Sequence, residues 1–358
     1  MIKKHQKNKG IQPIAGVSLF SGGGVGEIYL SKNGIRIKVA NELISKRAEF
    51  YKYLYPECSM IVGDIMDKKI YDNILHKALE YNCKFLIATP PCQGMSIAGK
   101  MKKDDPRNSL IIKVVDFIKD LQPENVLIEN VPLMLKASII YRGKLIKIKD
   151  FISNELNNDY KISMNILDAA DYGTPQRRKR AIILLSKKKW ELPPIQPRIT
   201  VEKAIGYLPS LESGEVSNIK YHNAKTHCSE HILWMKNTPT GQTAFSNKIY
   251  YPKKNGRRIR GYPTTYKRMD WDKPAPTITM CNGAVSSQNN VHPGRCQKDG
   301  TYSDARVLSI LELIILMGLP KRLNIPSFAS DNLTRQIIGE GIPPKLVASL
   351  VERMPSFN

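Results

Sequence analysis

The chain has 358 residues, 55 lysines and arginines against 32 aspartates and glutamates, a formal net charge of +23 and a pI near 9.7. On an otherwise globular composition this excess of cations points toward a polyanion such as nucleic acid, and the length suggests about two domains. The six cysteines form no C-x-x-C pair, which at this length excludes a disulfide scaffold. His227, Cys228, Cys281, His292 and Cys296 match no standard zinc spacing, so no metal is expected.

In chain order, Lys3, Lys4, Lys7 and Lys9 fall in a polar leader without an apolar h-region, which reads as a loose arm rather than a signal peptide. Ile14 to Phe20 reads as a first strand, and Ser21-Gly22-Gly23-Gly24-Val25-Gly26-Glu27 as a glycine-rich turn opening a helix. Glycines there let the backbone approach a ligand closely. A second apolar run ends at Val39-Ala40-Asn41-Glu42, about 20 residues on, where a dinucleotide fingerprint places the acid that holds ribose hydroxyls. A third, Met60-Ile61-Val62, ends in Gly63-Asp64-Ile65, placing Asp64 to accept from an adenine amino group.

Next come Phe85-Leu86-Ile87-Ala88 and Thr89-Pro90-Pro91-Cys92-Gln93-Gly94. Two prolines stiffen the loop leaving this fourth strand, so Cys92 stands on a rigid platform beyond the carboxyl end of a strand. Ligands bind at such ends in open α/β sheets. Residues Gln93 to Arg107 read as a mobile lid whose lysines follow a phosphate backbone. Glu129 follows Val126-Leu127-Ile128 at another strand end, and Ala181 to Leu185 is a strong strand. If the stretch leading into that strand is extended, Gln176, Arg178 and Arg180 share one face, while Arg177 and Lys179 turn to the other as solvated charges.

From 14 to 186 strand-like runs alternate with helix-length segments, which reads as a doubly wound α/β sheet with helices on both faces. Pro193, Pro194 and Pro197 mark a linker, after which Gly, Pro, Asn, aromatics and cations replace periodicity. In Asn255-Gly256-Arg257-Arg258-Ile259-Arg260 the three arginines are suited to gripping guanine edges or phosphates. The apolar stretch from Val307 to Met317 is too short for a membrane span and carries Glu312, so a buried helix is expected there. From about Asp331 the chain returns to the first domain as a helix. The expected domains are 1–195, catalytic and cofactor-binding; 196–330, small and irregular, for target recognition; and 331–358, the returning segment.

The order of these pieces, with Asp105-Pro106-Arg107-Asn108-Ser109-Leu110, Glu129-Asn130-Val131-Pro132, Tyr172 to Arg180 and Gln336 to Pro344, resembles the DNA cytosine carbon-5 methyltransferase family. The resemblance spans roughly residues 14 to 352. It implies a Rossmann-like, S-adenosylmethionine-dependent methyltransferase sheet and a methyl transfer to carbon 5 of a flipped-out cytosine in duplex DNA. Cys92 is then the nucleophile and Glu129 the acid at ring nitrogen 3; Arg180 holds the target's carbonyl oxygen, and Arg178 buttresses the phosphate or the acid. Phe20, Gly22, Gly24, Glu42, Asp64, Ile65, Pro90, Leu110, Glu340 and Ile342 are implied to bind the cofactor. Gln93, Ser96, Gln176, Arg257, Arg258 and Arg260 are implied to meet DNA.

One departure stands out. Where the family usually has Gly-Asn-Ala, this chain has Gly339-Glu340-Gly341, so a carboxylate that accepts hydrogen bonds but, when ionised, donates none replaces an amide near the methionine part of the cofactor. Glu340 is suited to pair with the cofactor's amino group. The implied setting is a cytoplasmic, nucleoid-associated monomer without membrane attachment, serving as the modification half of a restriction system beside a cognate endonuclease. A tRNA cytosine-5 methyltransferase and an inactive DNA-binding homologue are the alternatives.

Overall fold

The computed structural model describes residues 13–91 and 110–355. Cys92, the whole of the expected lid from Gln93 to Arg107, including Ser96, and the Lys-rich leader lie outside the described residues.

Seven strands form the central sheet: β1 (Ile14–Leu19), β2 (Ile35–Glu42), β3 (Ser59–Val62), β4 (Phe85–Ala88), β5 (Asn125–Asn130), β8 (Lys161–Asp168) and β9 (Lys179–Ser186). β6 (Ser138–Tyr141) and β7 (Lys144–Lys147) form a separate hairpin. The order across the sheet is β3-β2-β1-β4-β5-β9-β8, with β1 to β5 parallel and β9 antiparallel to both its neighbours. The antiparallel seating of β9 between β5 and β8 is not among the features the sequence pattern predicts.

The central strands β4, β5 and β9 are apolar on both sides because both faces are covered. Val17, Leu86, Val126 and Ile183 pack toward α2 (Lys68–Glu80), α3 (Leu110–Leu121) and α4 (Ile148–Leu156). The alternate residues Phe85, Ile87, Leu127, Ile182 and Leu184 pack toward α9 (Pro344–Val351) and Tyr51 of α1 (Ser45–Leu54). Two-residue periodicity thus sends neighbouring side chains into opposite cores.

A third core joins Val25 and Phe50 to α5 (Val201–Ile205), α7 (Ile310–Leu316) and α8 (Asp331–Glu340). Leu311 to Leu316 are all buried there, as the apolar stretch predicts. A smaller cluster gathers Trp234 and Met235 of α6 (Ser229–Lys236) with Ala244, Val285, Val291, Ala305 and Val307. This segment has little regular structure, so buried polar groups organise it. Arg268 is fully buried and donates to the carbonyls of Met235, His292, Tyr302 and Asp304. Arg306, also fully buried, pairs with both oxygens of Glu312 at 2.8 and 3.0 Å and with Asp304 at 2.9 Å. Among the described residues no helix is long and apolar enough to cross a membrane.

Candidate active site

The strand order reverses between β1 and β4, and ligands bind beyond the carboxyl ends of strands at such a switch point. The two turns identified from sequence start side by side here. Leu19 is registered against Ala88, Thr89 N–H donates to the Leu19 carbonyl, and the Thr89 hydroxyl donates to the carbonyl of Phe20.

Phe20 has φ +59°, a conformation rare outside glycine, and it turns the chain so that Ser21 N–H reaches the Asn41 carbonyl at 2.9 Å. Gly22 follows at φ +56° and donates its N–H to Glu42 Oε2 at 2.9 Å, while Glu42 Oε1 accepts from Ile44 N–H at 2.9 Å. The carboxylate is buried and held by both oxygens, each keeping a lone pair for a further donor. At Gly24, with φ +77°, a Cβ would stand 2.5 Å from the Tyr55 ring, so the turn admits only glycine there. Asn41 fixes the next strand end by donating to the carbonyls of Ile61 and Gly63. Beyond it Asp64 is exposed and accepts from Met66 N–H, with Ile65 buried beside it.

Beneath this turn, Glu27 lies buried between β1 and α1, accepting from the Ser18 hydroxyl and the Tyr51 hydroxyl at 2.5 Å each. Burial pushes its carboxyl up to about 7, against the pull of those two hydrogen bonds. Ile342 seals the same region, its Cγ2 so close to Gly26 that a Cβ there would fall within 2.1 Å.

On the other side of the switch point, β5 carries Glu129 and Asn130 at its carboxyl end, both buried. Glu129 Oε1 lies 2.7 Å from Arg180 Nε, an ion pair across the antiparallel β5 and β9 strands. Asn130 Nδ2 donates to the Pro90 carbonyl at 3.0 Å and its Oδ1 accepts from Val131 N–H at 2.8 Å. Asn130 therefore clamps the Pro-Pro turn that leads into Cys92. Sequence alone assigns Asn130 no role of its own; its signal is an amide beside a carboxylate at a strand end. Leu110 opens α3, half-buried against the first core.

Arg178 is buried, with Nη1 on the Ile278 carbonyl at 2.8 Å and Nη2 on the Glu340 carbonyl at 3.1 Å. It bridges the loop after Ala275 to the end of α8. Gln176 shares its inward direction, as alternation predicts. Its side chain is fully buried, accepting from Ile278 N–H at 3.0 Å and donating to Met317 Sδ at 3.4 Å, so both ends of the amide are committed inside the protein. Arg177 and Lys179 are exposed.

The three arginines expected to meet DNA differ. Lys253–Lys254 and Arg257–Arg258 form a short antiparallel hairpin, β10 and β11, turned by Asn255 at φ +50° and Gly256 at φ +75°. Two successive positive φ values are what a tight two-residue hairpin requires. Arg258 ties this hairpin down, donating to the carbonyls of Phe245 and Asn247 and stacking 3.8 Å over Tyr251. Arg257 and Arg260 are exposed.

Glu340 and Arg47 lie on the β2 side of the switch point. Glu340 Oε2 lies 2.6 Å from Arg47 Nη2, and Arg47 Nη1 is 3.9 Å from Glu42 Oε1. Sequence reading missed Arg47, because its partner is 293 residues away in the chain.

A family model described as C-5 cytosine-specific DNA methylase matches residues 14–356. The chain is 53% identical to Type II methyltransferase M1.HgaI of Avibacterium volantium over 353 residues, 96% of this chain and 99% of that one. It is 27% identical to Type II methyltransferase M1.HphI of Haemophilus parahaemolyticus, over 96% of this chain and 87% of that one. Among solved structures, a candidate DNA modification methyltransferase encoded within an E. coli prophage superposes with a TM-score of 0.68 at 20% identity, covering 95% of this chain and 97% of that one. DNMT2 of Spodoptera frugiperda follows at a TM-score of 0.63 and 14% identity, covering 94% and 98%. The structural likenesses bear on the fold; the match along nearly the whole sequence bears on the family. This chain belongs to the C-5 cytosine-specific DNA methylase family.

Proposed function

We propose that the protein methylates carbon 5 of a flipped-out cytosine within a specific duplex DNA sequence, using S-adenosylmethionine, as the modification half of a restriction system. The observation that carries this reading is the Glu129–Arg180 pair at the end of β5, beside the Pro90 turn that Asn130 holds. It supplies an acid and a guanidinium next to the segment that bears Cys92.

The residues at the β1 and β2 ends fit the methyl donor. Glu42 has acceptor capacity left for ribose hydroxyls, Asp64 for an adenine amino group, and Gly22 leaves space for a ligand against the backbone. Phe20, Gly24, Ile65, Pro90, Leu110 and Ile342 frame the same side, and Glu340 faces the turn. When bound, S-adenosylmethionine supplies an electrophilic methyl group.

Carbon 5 of cytosine is a weak nucleophile. Addition of the Cys92 thiolate to carbon 6 makes the ring enamine-like and carbon 5 reactive. Glu129, acting in its protonated form, relieves charge by donating to ring nitrogen 3, and Arg180, beside it, holds the ring carbonyl oxygen. Loss of the proton from carbon 5 then expels the thiol and restores the ring. A stacked cytosine exposes neither carbon to a side chain, so the base is swung out, at a cost of about a few kcal/mol.

Residues 196–330 serve as the target-recognition domain, with 1–195 and 331–358 building the catalytic domain. Arg257 and Arg260 contact DNA, and Gln93 and Ser96 meet it from the lid. The protein works as a monomer, cytoplasmic and nucleoid-associated, on the same site as a cognate endonuclease. Transfer of labelled methyl groups to duplex DNA and to total tRNA tests this: label in DNA, lost in Glu129→Gln, supports it. Label in tRNA alone would overturn it.

A further inference from the structure

Glu340 stands where the family resemblance implies an amide, and the structure gives it a partner. The residue ends α8. One carboxylate oxygen, Oε2, pairs with Arg47 of α1 at 2.6 Å, and the other, Oε1, is buried and has no hydrogen-bond partner among the described residues. That second oxygen faces the glycine turn: among the described residues, leaving out the chain neighbours of Gly22, it is the one atom within 4 Å of the position a Cβ on Gly22 would take, at 3.9 Å. A buried acceptor without a donor is costly. Set against a turn that leaves room for a ligand, it is suited to a donor that arrives with the ligand.

We infer that Arg47 is a positioning residue for the amino-acid end of the methyl donor, holding Glu340 ionised and turned so that Oε1 accepts from the donor's ammonium group. The pair thereby takes the place of the family's amide. This rests on the reading of the site as the methyl donor's. Arg47 reaches Glu340 from α1, Glu42 lies beyond Arg47 at the end of β2, and Arg178 bonds the Glu340 carbonyl from the entry to β9. Burial pushes the Glu340 carboxyl up to about 7, and Arg47 opposes that rise while Glu42 adds to it. Binding an ammonium group requires the ionised form, so affinity rises with pH through this region. Without Arg47 the carboxyl keeps its proton to higher pH.

The test is calorimetric binding to the full chain, with S-adenosylhomocysteine, which carries the amino-acid end, and 5′-methylthioadenosine, which lacks it. Arg47→Ala and Glu340→Ala are expected to weaken the first ligand about tenfold to a hundredfold and the second by about twofold at most. Arg47→Lys restores most of the loss. From about pH 6 to pH 8 the wild type gains about tenfold for S-adenosylhomocysteine; this rise moves to higher pH in Arg47→Ala and disappears in the near-isosteric Glu340→Gln. Equal loss of both ligands, no loss of either, or an unmoved pH profile in Arg47→Ala would overturn the inference. A wild type that binds neither nucleoside would overturn the donor reading itself, and the role of Arg47 with it.

Discussion

Replacing Glu27 with glutamine is expected to stabilise the protein above neutral pH and to leave it little changed in mild acid. The carboxyl is buried between Ser18 and Tyr51, and burial raises it from 4.5 to about 7 against the two hydroxyl hydrogen bonds. The folded state therefore keeps its proton where the unfolded chain has released it. Stability from this group is complete below pH 4.5 and is lost as pH rises to about 7. At about 1.4 kcal/mol for each tenfold change in proton affinity, the span corresponds to about 3 kcal/mol. Glutamine removes the charge and keeps the shape. Its carbonyl accepts from one hydroxyl, and its amide donates to the other, which rotates to accept. Urea unfolding of both proteins between pH 5 and pH 8.5 measures the effect as a widening gap, reaching about 1–3 kcal/mol in favour of the variant. A constant gap across that range, or a variant less stable than wild type at pH 8.5, would refute the reasoning.

Other consequences follow from buried charge, clamped turns and exposed cations. Arg306→Ala leaves Asp304 and Glu312 buried without their guanidinium, and urea unfolding should show a loss of about 3–5 kcal/mol. Asn130→Ala frees the Pro90 carbonyl and should lower the single-turnover methylation rate by about tenfold or more while DNA affinity stays unchanged; a matched fall in both would contradict the clamp. Arg257→Ala combined with Arg260→Ala should weaken DNA binding and reduce its salt dependence by about two counterions, as read from affinities over a salt series. Arg258→Ala should instead lower the melting temperature, because its guanidinium is committed to Phe245, Asn247 and Tyr251.

The strand ends were legible because each apolar run closes on a glycine, a proline or a carboxylate that breaks it: Gly22, Glu42, Asp64, Pro90 and Glu129. Alternation also placed Gln176 and Arg178 on one face. What alternation does not reveal is what covers that face, and here residues 275–278 do, bonded to the side chains of Gln176 and Arg178. The Arg47–Glu340 pair was invisible for a different reason: only the fold brings α1 and the end of α8 together. The antiparallel seating of β9 lies in the connection through β8, and the apolar content of a strand buried on both faces is the same in either direction. In the recognition segment, order rests on buried arginines and carbonyls such as those around Arg268, and these leave no periodic trace.

The central claim is that Cys92 attacks carbon 6 of a cytosine in duplex DNA with Glu129 and Arg180 at its side. Mixing the full-length protein with S-adenosylmethionine and duplex DNA containing 5-fluorocytosine tests it directly, because fluorine at carbon 5 cannot leave as a proton does. The account predicts a complex that survives denaturation for the wild type and none for Cys92→Ser. No complex, with cofactor and DNA each bound, would contradict it.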